Sequence, residues 1–579
     1  MSAPAYSTRS RAAASGWGAL PEDLLVRIAS LLAVDARLAA AGVNKHWRAA
    51  LAAPSLWECV DVRRRDIALR AALDTLDDEA EDGYTPRTES LRRAYVTLVR
   101  AAARRARRRL EVRLQNIDPD DVHRILTTDA PHVRELYTDG PLDAYQGKLR
   151  RLLDATRLEV VEMPEINVNH DRLRYVNWPE GVLRRVRVQC VEVPFFWDPP
   201  QLPGDFADTL RDTRLAWDGV QMYSSWDGTV ALLDAATARR VSTLSLTCGQ
   251  VSAAILSSLA ALLRAGTLTK LELTTDVGNG DDDDSDEEEG ASQRLLRVLI
   301  ASLPSCDALR ELQLRFASLW SDPTSAVAIL QALACLPSLA TLRLQQRNLP
   351  GEAPKPCAAV RAALAALVRA NRPALRQLDV SHCDLGACAL AELLCALSHN
   401  THLHELRCRG NLRYDDAAFD DNAAAAVGAA LRANASLRLL DLADSAHPAF
   451  VQGLVGHRSL RTLNVDGSRD LEQAAALGAA LGELVAANAP AVTDLSCCDC
   501  DLRAAGLRPL LATLPCNTHL RVLVCHDNVK GSTFARNVLL PAVRANTSLL
   551  KLFADGKEAQ ALVKRRAEAA PLRDLVMCT

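Results

Sequence analysis

Large apolar residues follow two different spacings along this chain. Between residues 20 and 57 they recur at intervals of three or four, the spacing of one face of an α-helix. Pro21 suits the first turn of a helix, and Asp35 and Asn44 can each cap a further short helix. Three short helices cannot bury so many apolar side chains among themselves. The segment therefore predicts a small helical module whose apolar face is covered by another protein.

The order of residues in this module is distinctive. Leu-Pro, an acidic pair, Leu-Leu, Ile, Leu-Leu, Asp, Val-Asn-Lys-His-Trp-Arg and Pro-Ser-Leu-Trp follow one another without a gap. This order resembles the F-box, although Asn44 stands where Cys is common and Gly42 is unusual in the loop. The resemblance implies docking onto the Skp-type adaptor of an SCF cullin–RING ubiquitin ligase. The side chains expected to contact that adaptor are Leu20, Pro21, Leu24, Leu25, Ile28, Leu31, Leu32, Val43, Trp47, Leu56 and Trp57.

From about residue 110 the pattern Leu-x-x-Leu-x-Leu recurs, and most spacings between copies fall between 23 and 36 residues. Clear copies start at Val241, Leu268, Leu309, Leu339, Leu375, Leu403, Leu437, Leu460, Val492, Leu520 and Leu549. Weaker copies start at Val133, Leu158, Leu183 and Leu210. Each copy alternates with period two, which predicts a short strand, and an Ala/Leu-rich helical stretch follows. One such unit cannot close a core alone, so stacked units must share one.

The repeats resemble leucine-rich repeats, and the longer copies resemble those of the ribonuclease-inhibitor type. The residues Leu375, Leu378, Val380, Cys383 and Leu385 fit the longer signature of that type in full. The resemblance implies an α/β fold, a leucine-rich-repeat solenoid (horseshoe) preceded by a small three-helix F-box. Strands would line its concave face and helices its convex face.

Composition divides the chain further. We expect a disordered N-terminus at 1–16, an F-box at 17–60, a linker with a helical, Arg-rich end at 61–109, irregular repeats at 110–240, and regular repeats at 241–570 with an acidic loop at 278–290. The loop is expected to be mobile, because eight of the nine residues 281–289 are Asp or Glu and repel one another. The Arg residues of 104–109 are either a solvated helix face, a nuclear-import signal or a contact for polyanions.

Charged residues recur at the strand positions expected to face the hollow of the solenoid. They are Arg315, Arg343, Arg407, Arg409, Asp441, Asp444, Asp466, Asp494, Asp499 and Asp527. Arg185 and Arg187 precede them at equivalent positions, so the order predicts a face that is basic in its first and middle parts and acidic toward the C-terminal end. Like charges on adjacent strands lie close together and call for a complementary partner. We therefore expect a target protein whose basic segment binds the acidic end.

Charge and cysteine usage exclude several other classes. The net charge of −3 gives no bias toward nucleic acid, and no apolar run is long enough to span a membrane. No secretory signal is visible, so the 16 Cys indicate reduced thiols and a cytoplasmic or nuclear protein. The Cys near residue 500 lack the spacing of zinc knuckles. Repeat phase places Cys497 and Cys525 in the core, and Cys383 and Cys500 where Asn or Cys bonds the turn between repeats. No catalytic motif is recognisable, so we expect no enzymatic activity, cofactor or metal.

These observations predict a substrate-recognition adaptor of an SCF-type ligase, with the F-box binding the Skp-type adaptor of the cullin–RING core and the repeats binding a target. The alternative is a leucine-rich-repeat scaffold or inhibitor that is not tied to ubiquitination. A GTPase-activating protein of the Ran type shares the repeat style, but no single protruding Arg or Asn supports that hypothesis.

Overall fold

The structure is a computed structural model of the 579-residue chain. It describes residues 51, 53–61, 86–112, 119–138, 156–167, 186–192, 216–223, 228–248, 251–275, 285–316, 319–346, 355–412, 421–467, 473–488, 492–529, 532–555 and 557–569. The chain forms two compact units, one of residues 1–222 with 226–241 and one of residues 223–225 with 242–579.

The first unit is built on parallel strands that pair in chain order. The strands described for this part of the chain are β1 (Cys59–Asp61), β2 (Arg109–Val112), β3 (Glu135–Thr138), β4 (Val160–Asn167), β5 (Val186–Glu192) and β6 (Ala216–Tyr223). Its helices are α1 (Pro86–Ala103), α2 (Pro119–Arg124) and α3 (Thr229–Arg239). A π-helical turn, Ile125–Asp129, continues α2.

The second unit repeats a strand and a helix with greater regularity, and its strands also pair in parallel and in chain order. The strands are β7 (Thr243–Cys248), β8 (Lys270–Thr275), β9 (Glu311–Phe316), β10 (Thr341–Gln346), β11 (Gln377–Asp379), β12 (Glu405–Arg407), β13 (Leu439–Asp441), β14 (Thr462–Asn464), β15 (Asp494–Ser496), β16 (Val522–Val524) and β17 (Lys551–Phe553). The helices are α4 (Ala253–Arg264), α5 (Ser285–Ser302), α6 (Pro323–Cys335), α7 (Ala358–Arg369), α8 (Gly386–Ala396), α9 (Asp421–Ala433), α10 (Pro448–Gly453), α11 (Ala474–Ala486), α12 (Arg503–Thr513), α13 (Ser532–Phe534), α14 (Leu540–Ala545) and α15 (Lys557–Ala569).

The apolar pattern explains which side of each strand is buried. In β7 and β10 every second residue is buried: two leucines of the repeat, followed by Cys248 in β7 and Gln346 in β10. Helices follow where the sequence supplies a cap: Asp322 accepts hydrogen bonds from the backbone N–H groups of Thr324 and Ser325, and Pro323 takes the first helical position. This alternation of parallel strand and helix confirms the prediction of an α/β leucine-rich-repeat fold.

Buried asparagines tie successive repeats of the second unit together. The amide nitrogen of Asn434 donates to the carbonyls of Leu397 and Asn400 in the preceding repeat, at 2.8 and 2.9 Å. Its amide oxygen accepts from the backbone N–H of Ser436 at 3.0 Å and of Leu437 at 2.9 Å. Asn546 makes the same four bonds, whereas Asn400 and Asn517 each donate to one carbonyl and accept from two N–H groups. One side chain thus satisfies three or four backbone groups that the turn would otherwise bury unpaired.

The turns after the strands use cysteine as the repeat phase predicted. The thiol of Cys383 donates to the Leu344 carbonyl at 2.9 Å, and that of Cys500 donates to the Val465 carbonyl at 3.0 Å. The backbone N–H of each cysteine donates to an asparagine of the next repeat, Asn411 or Asn528. Cys497 and Cys525 are buried in the core, as predicted.

Two predicted boundaries are wrong. The sheet begins at β1, inside the segment predicted as F-box and linker, because Cys59–Asp61 pair with Arg109–Glu111. The linker prediction for 61–109 missed this repeat, whose helix α1 lies within it. The segment predicted as an acidic loop, 278–290, is helical from residue 285 onward. Acidic residues in the first turn of a helix are favourable because their negative charge lies near the positive end of the helix dipole. Residues 278–284 of the predicted loop, and residues 1–16, lie outside the described residues.

Candidate protein-interaction sites

The end of the F-box-like segment belongs to the first unit. Leu56 and Trp57 are buried, with 5% and 3% of their surfaces exposed. The indole N–H of Trp57 donates to the Leu51 carbonyl at 2.6 Å, and the Arg105 guanidinium lies 5.0 Å from the centre of the indole ring. The backbone N–H of Arg107, two residues before β2, donates to the Trp57 carbonyl at 2.8 Å. Leu56 and Trp57 are therefore structural, and the prediction that they contact an adaptor is wrong for this arrangement.

The other residues predicted to contact the adaptor lie outside the described residues. They are Leu20, Pro21, Leu24, Leu25, Ile28, Leu31, Leu32, Val43 and Trp47. Their role remains a prediction from the sequence.

Most of the Arg cluster at 104–109 is engaged within the first unit. Arg100 and Arg104 hold Asp129 from two sides, at 2.7 and 2.8 Å. Burial raises the pKa of Asp129, but the hydrogen bonds from the two guanidinium groups outweigh it and the pKa lies below its ordinary value. Arg108 pairs with Glu135 at 2.9 Å. These contacts favour a structural role over the nuclear-import and polyanion alternatives.

Arg109 lies among three glutamates on the exposed face of the first unit. It lies 2.8 Å from Glu111, and its other nitrogens lie 3.9 Å from Glu135 and 3.6 Å from Glu162 on the next two strands. Its guanidinium also lies over the ring of Tyr137, 5.5 Å from the ring centre. One basic side chain thus holds three strands together.

The predicted target-binding residues of the second unit lie on or beside the exposed face of its sheet. Strand register places Arg343, Asp379, Arg407 and Asp441 next to one another on successive strands. Signs therefore alternate along this row, and the predicted basic middle part is wrong. The sequence interpretation overlooked Asp379, although it occupies the same strand position as Arg343 and Arg407. Neighbouring strands are about 4.8 Å apart, so the alternation offsets repulsion between like charges.

The other two predicted arginines also have partners on this face. Arg315 donates to the side-chain oxygen of Gln345 on the adjacent strand at 2.6 Å. Arg409 lies 3.5 Å from a carboxylate oxygen of Asp444. Both arginines remain exposed.

Several predicted acidic residues serve the turns. Asp444, Asp499 and Asp527 have φ angles of 56°, 52° and 60°, a left-handed conformation that Asp tolerates better than most residues. Asp466 accepts hydrogen bonds from the Ser496 hydroxyl at 2.6 Å and the Cys498 N–H at 2.7 Å. Some of the aspartates on this face are therefore explained by the conformation and hydrogen bonding of the turns and do not require a binding partner.

Two further acidic residues differ in their surroundings. Burial raises the pKa of Asp441, which accepts a hydrogen bond from the Ala443 N–H at 3.1 Å. Asp494 accepts from the Thr493 hydroxyl at 2.6 Å and remains half-exposed on the face. Asp494 is the better placed of the two to meet a partner.

Apolar residues at the C-terminal end of this face were missed by the sequence interpretation. Val522 and Val524 of β16 lie beside Lys551 and Phe553 of β17. The strand positions were readable from the repeat, but only charged side chains were considered at them.

The buried thiols of Cys497 and Cys525 are poorly suited to metal or redox chemistry. Burial raises the pKa of Cys525 to about 12 and that of Cys497 well above its ordinary value. In the part of the chain that the structure describes, no group of three or more His, Cys, Asp or Glu is arranged to hold a metal ion. None of the described helices combines the length and apolar character needed to cross a bilayer.

Comparison with known proteins supports the assignment of the N-terminal segment. A family model described as F-box-like matches residues 17–63. No curated protein matches the sequence. Solved structures match this chain at 12–16% sequence identity.

A chain of the Toll–Spatzle complex from Drosophila is 12% identical, with a TM-score of 0.33, over 82% of this chain and 52% of that chain. This chain thus spans about half the length of the Toll-complex chain that it matches. The leucine-rich repeat-containing protein LegL7 from Legionella pneumophila is 15% identical, with a TM-score of 0.26, over 69% of this chain and 97% of that one. The actin-binding site 2 of leiomodin-1 is 16% identical, with a TM-score of 0.19, over 38% of this chain and 96% of that one.

The repeat fold follows from this chain's own strand register and asparagine hydrogen bonds. The chain thus combines an F-box-like segment at 17–63 with a leucine-rich-repeat fold.

Proposed function

We propose that this protein is the substrate-recognition adaptor of an SCF-type cullin–RING ubiquitin ligase. The observation that carries the proposal is the F-box-like match at residues 17–63, which runs directly into the first strand of the repeats. F-box domains in general bind a Skp-type adaptor, and leucine-rich repeats offer a broad surface for a protein target.

The joint between the two parts supports this function. Trp57 is buried beneath Arg105, and its carbonyl accepts a hydrogen bond from the backbone N–H of Arg107, two residues before β2. These contacts anchor Leu56 and Trp57, at the end of the F-box-like segment, to the first repeats. The anchoring matters because an adaptor of this kind acts by proximity. It raises the local concentration of a target lysine near the charged ubiquitin carrier and makes or breaks no bond itself.

The proposal is tested by capture of a purified Skp-type adaptor on the immobilised full chain. Wild type should retain the adaptor, and the double variant Leu24→Asp with Leu25→Asp should lose it, because buried carboxylates in an apolar interface are strongly unfavourable. The control is Arg107→Ala, which changes an exposed residue near the joint and should bind like wild type. Failure of wild type to retain the adaptor would contradict the proposal and favour a scaffold unconnected with ubiquitination.

A further inference from the structure

The exposed face of the second unit ends in an apolar patch formed by Val522, Val524 and Phe553. Register pairs Val524 with Phe553, and both lie on the opposite side from the buried Leu523 and Leu552. Phe553 is 52% exposed and is the one large apolar side chain of the described residues that is exposed. Val522 and Val524 are half-buried beside it. A phenylalanine held on a strand loses little conformational freedom on binding, which suits it to anchor a partner.

Carboxylates surround this apolar patch. Asp494 lies next to Val522 by register, on the side away from Phe553. Asp527 and Asp555 follow the two strands and are exposed, and the Asp527 N–H donates to an Asp555 carboxylate oxygen at 2.8 Å. Lys551 is the basic side chain of β17 on this face. The imidazole Nδ1 of His526 lies 2.5 Å from an Asp527 carboxylate oxygen. Three carboxylates against one ammonium group and this imidazole leave the rim acidic.

We infer that the apolar patch binds a segment of the target protein that carries one large apolar side chain flanked by Lys or Arg. The apolar side chain packs against Phe553 and the two valines, and the flanking cations lie near Asp494, Asp527 and Asp555. A second copy of this chain is a poorer occupant, because its own acidic rim would meet the same carboxylates. The inference rests on the proposed function, since it names the class of target segment that the repeats select.

The test uses an array of degenerate 12-residue peptides probed with the labelled full chain. Central positions are fixed as Phe, Leu, Ala or Ser and flanking positions as Lys/Arg, Asp/Glu or Gln, and all other positions are randomised. Wild type should enrich peptides with Phe or Leu between basic residues. Phe553→Ser should lower that signal at least tenfold, whereas Lys551→Ala, on the same strand, should not lower it. The double variant Asp527→Asn with Asp555→Asn should keep the apolar preference and lose most of the basic one.

Several results would overturn the inference about the apolar patch. Equal enrichment by wild type and Phe553→Ser, enrichment of acidic flanks, or no enrichment at all would overturn the inference. Sedimentation of both proteins identifies self-association, and a wild-type dimer that Phe553→Ser dissociates would assign the patch to a second copy instead. Unchanged melting temperature shows that each variant is folded. Capture of the Skp-type adaptor by Phe553→Ser, measured in parallel, should match wild type, so failure of the peptide inference is distinguishable from failure of the proposed function.

Discussion

The two units connect their repeats by different means. In the second unit a fully engaged buried amide such as Asn434 bonds two carbonyls and two N–H groups. In the first unit, ion pairs such as Arg104 with Asp129 and Arg108 with Glu135 join neighbouring elements, and their arginines are largely exposed. Buried hydrogen bonds are costly to break, whereas exposed ion pairs contribute little and are screened by salt. The second unit is thus expected to be the more rigid part and the first the more responsive to solvent.

The largest expected effect comes from Asn434→Ala. Removal of the amide side chain leaves buried backbone groups without partners, so the free energy of unfolding of the second unit should fall by about 3 kcal/mol. Urea unfolding, followed by circular dichroism at low and high salt, measures this free energy. The loss should be the same at both salt concentrations. The control Arg432→Ala, an exposed position two residues before Asn434, should change the free energy by less than about 0.5 kcal/mol.

An intermediate effect is expected from Asp129→Asn in the first unit. The variant keeps the shape of the side chain but removes the charge held by Arg100 and Arg104, and should lower the free energy of unfolding by about 1 kcal/mol. Because the folded pKa of Asp129 is lowered, this contribution is full above about pH 4 and is lost as the pH falls through the folded pKa. The loss of unfolding free energy caused by Asp129→Asn should be smaller in 1 M salt, which screens the ion pairs. A loss that is independent of salt and as large as that of Asn434→Ala would contradict the proposed difference between the two units.

The smallest expected effect concerns His457, which replaces asparagine in the series of buried side chains. Its Nδ1 accepts from the backbone N–H of Ser459 at 3.3 Å and of Leu460 at 3.0 Å, so this nitrogen must carry no proton. Burial lowers the pKa of His457. The unfolded chain therefore binds the proton more readily, and stability is full above the unfolded pKa of about 6.5 and falls as the pH drops below it.

The measurement is thermal unfolding between pH 7.5 and pH 5 for wild type and His457→Asn. The wild-type melting temperature should fall over this range by a few degrees more than that of the variant, since asparagine makes the same bonds without titrating. Parallel curves for the two proteins would show that His457 does not titrate on unfolding.

The sequence predicted the repeats because periodicity at Leu375, Leu378 and Val380 depends only on which side of a strand is buried. It also predicted the buried positions of Cys383 and Cys500, because repeat phase fixes them. It failed at Leu56 and Trp57, since an apolar residue looks alike whether a partner or the chain's own repeat covers it. It failed at Asp379 because charges were considered strand by strand, and only the register shows which of them are neighbours.

Hydrogen exchange of the full chain, with and without a purified Skp-type adaptor, tests the central claim most directly. The account predicts that peptides within residues 17–50 exchange more slowly when the adaptor is bound. Peptides covering residues 53–61 should be protected already in the free protein, because Leu56 and Trp57 are buried and β1 is paired. The claim would be contradicted by unchanged exchange across residues 17–50, or by protection of residues 53–61 only when the adaptor is bound.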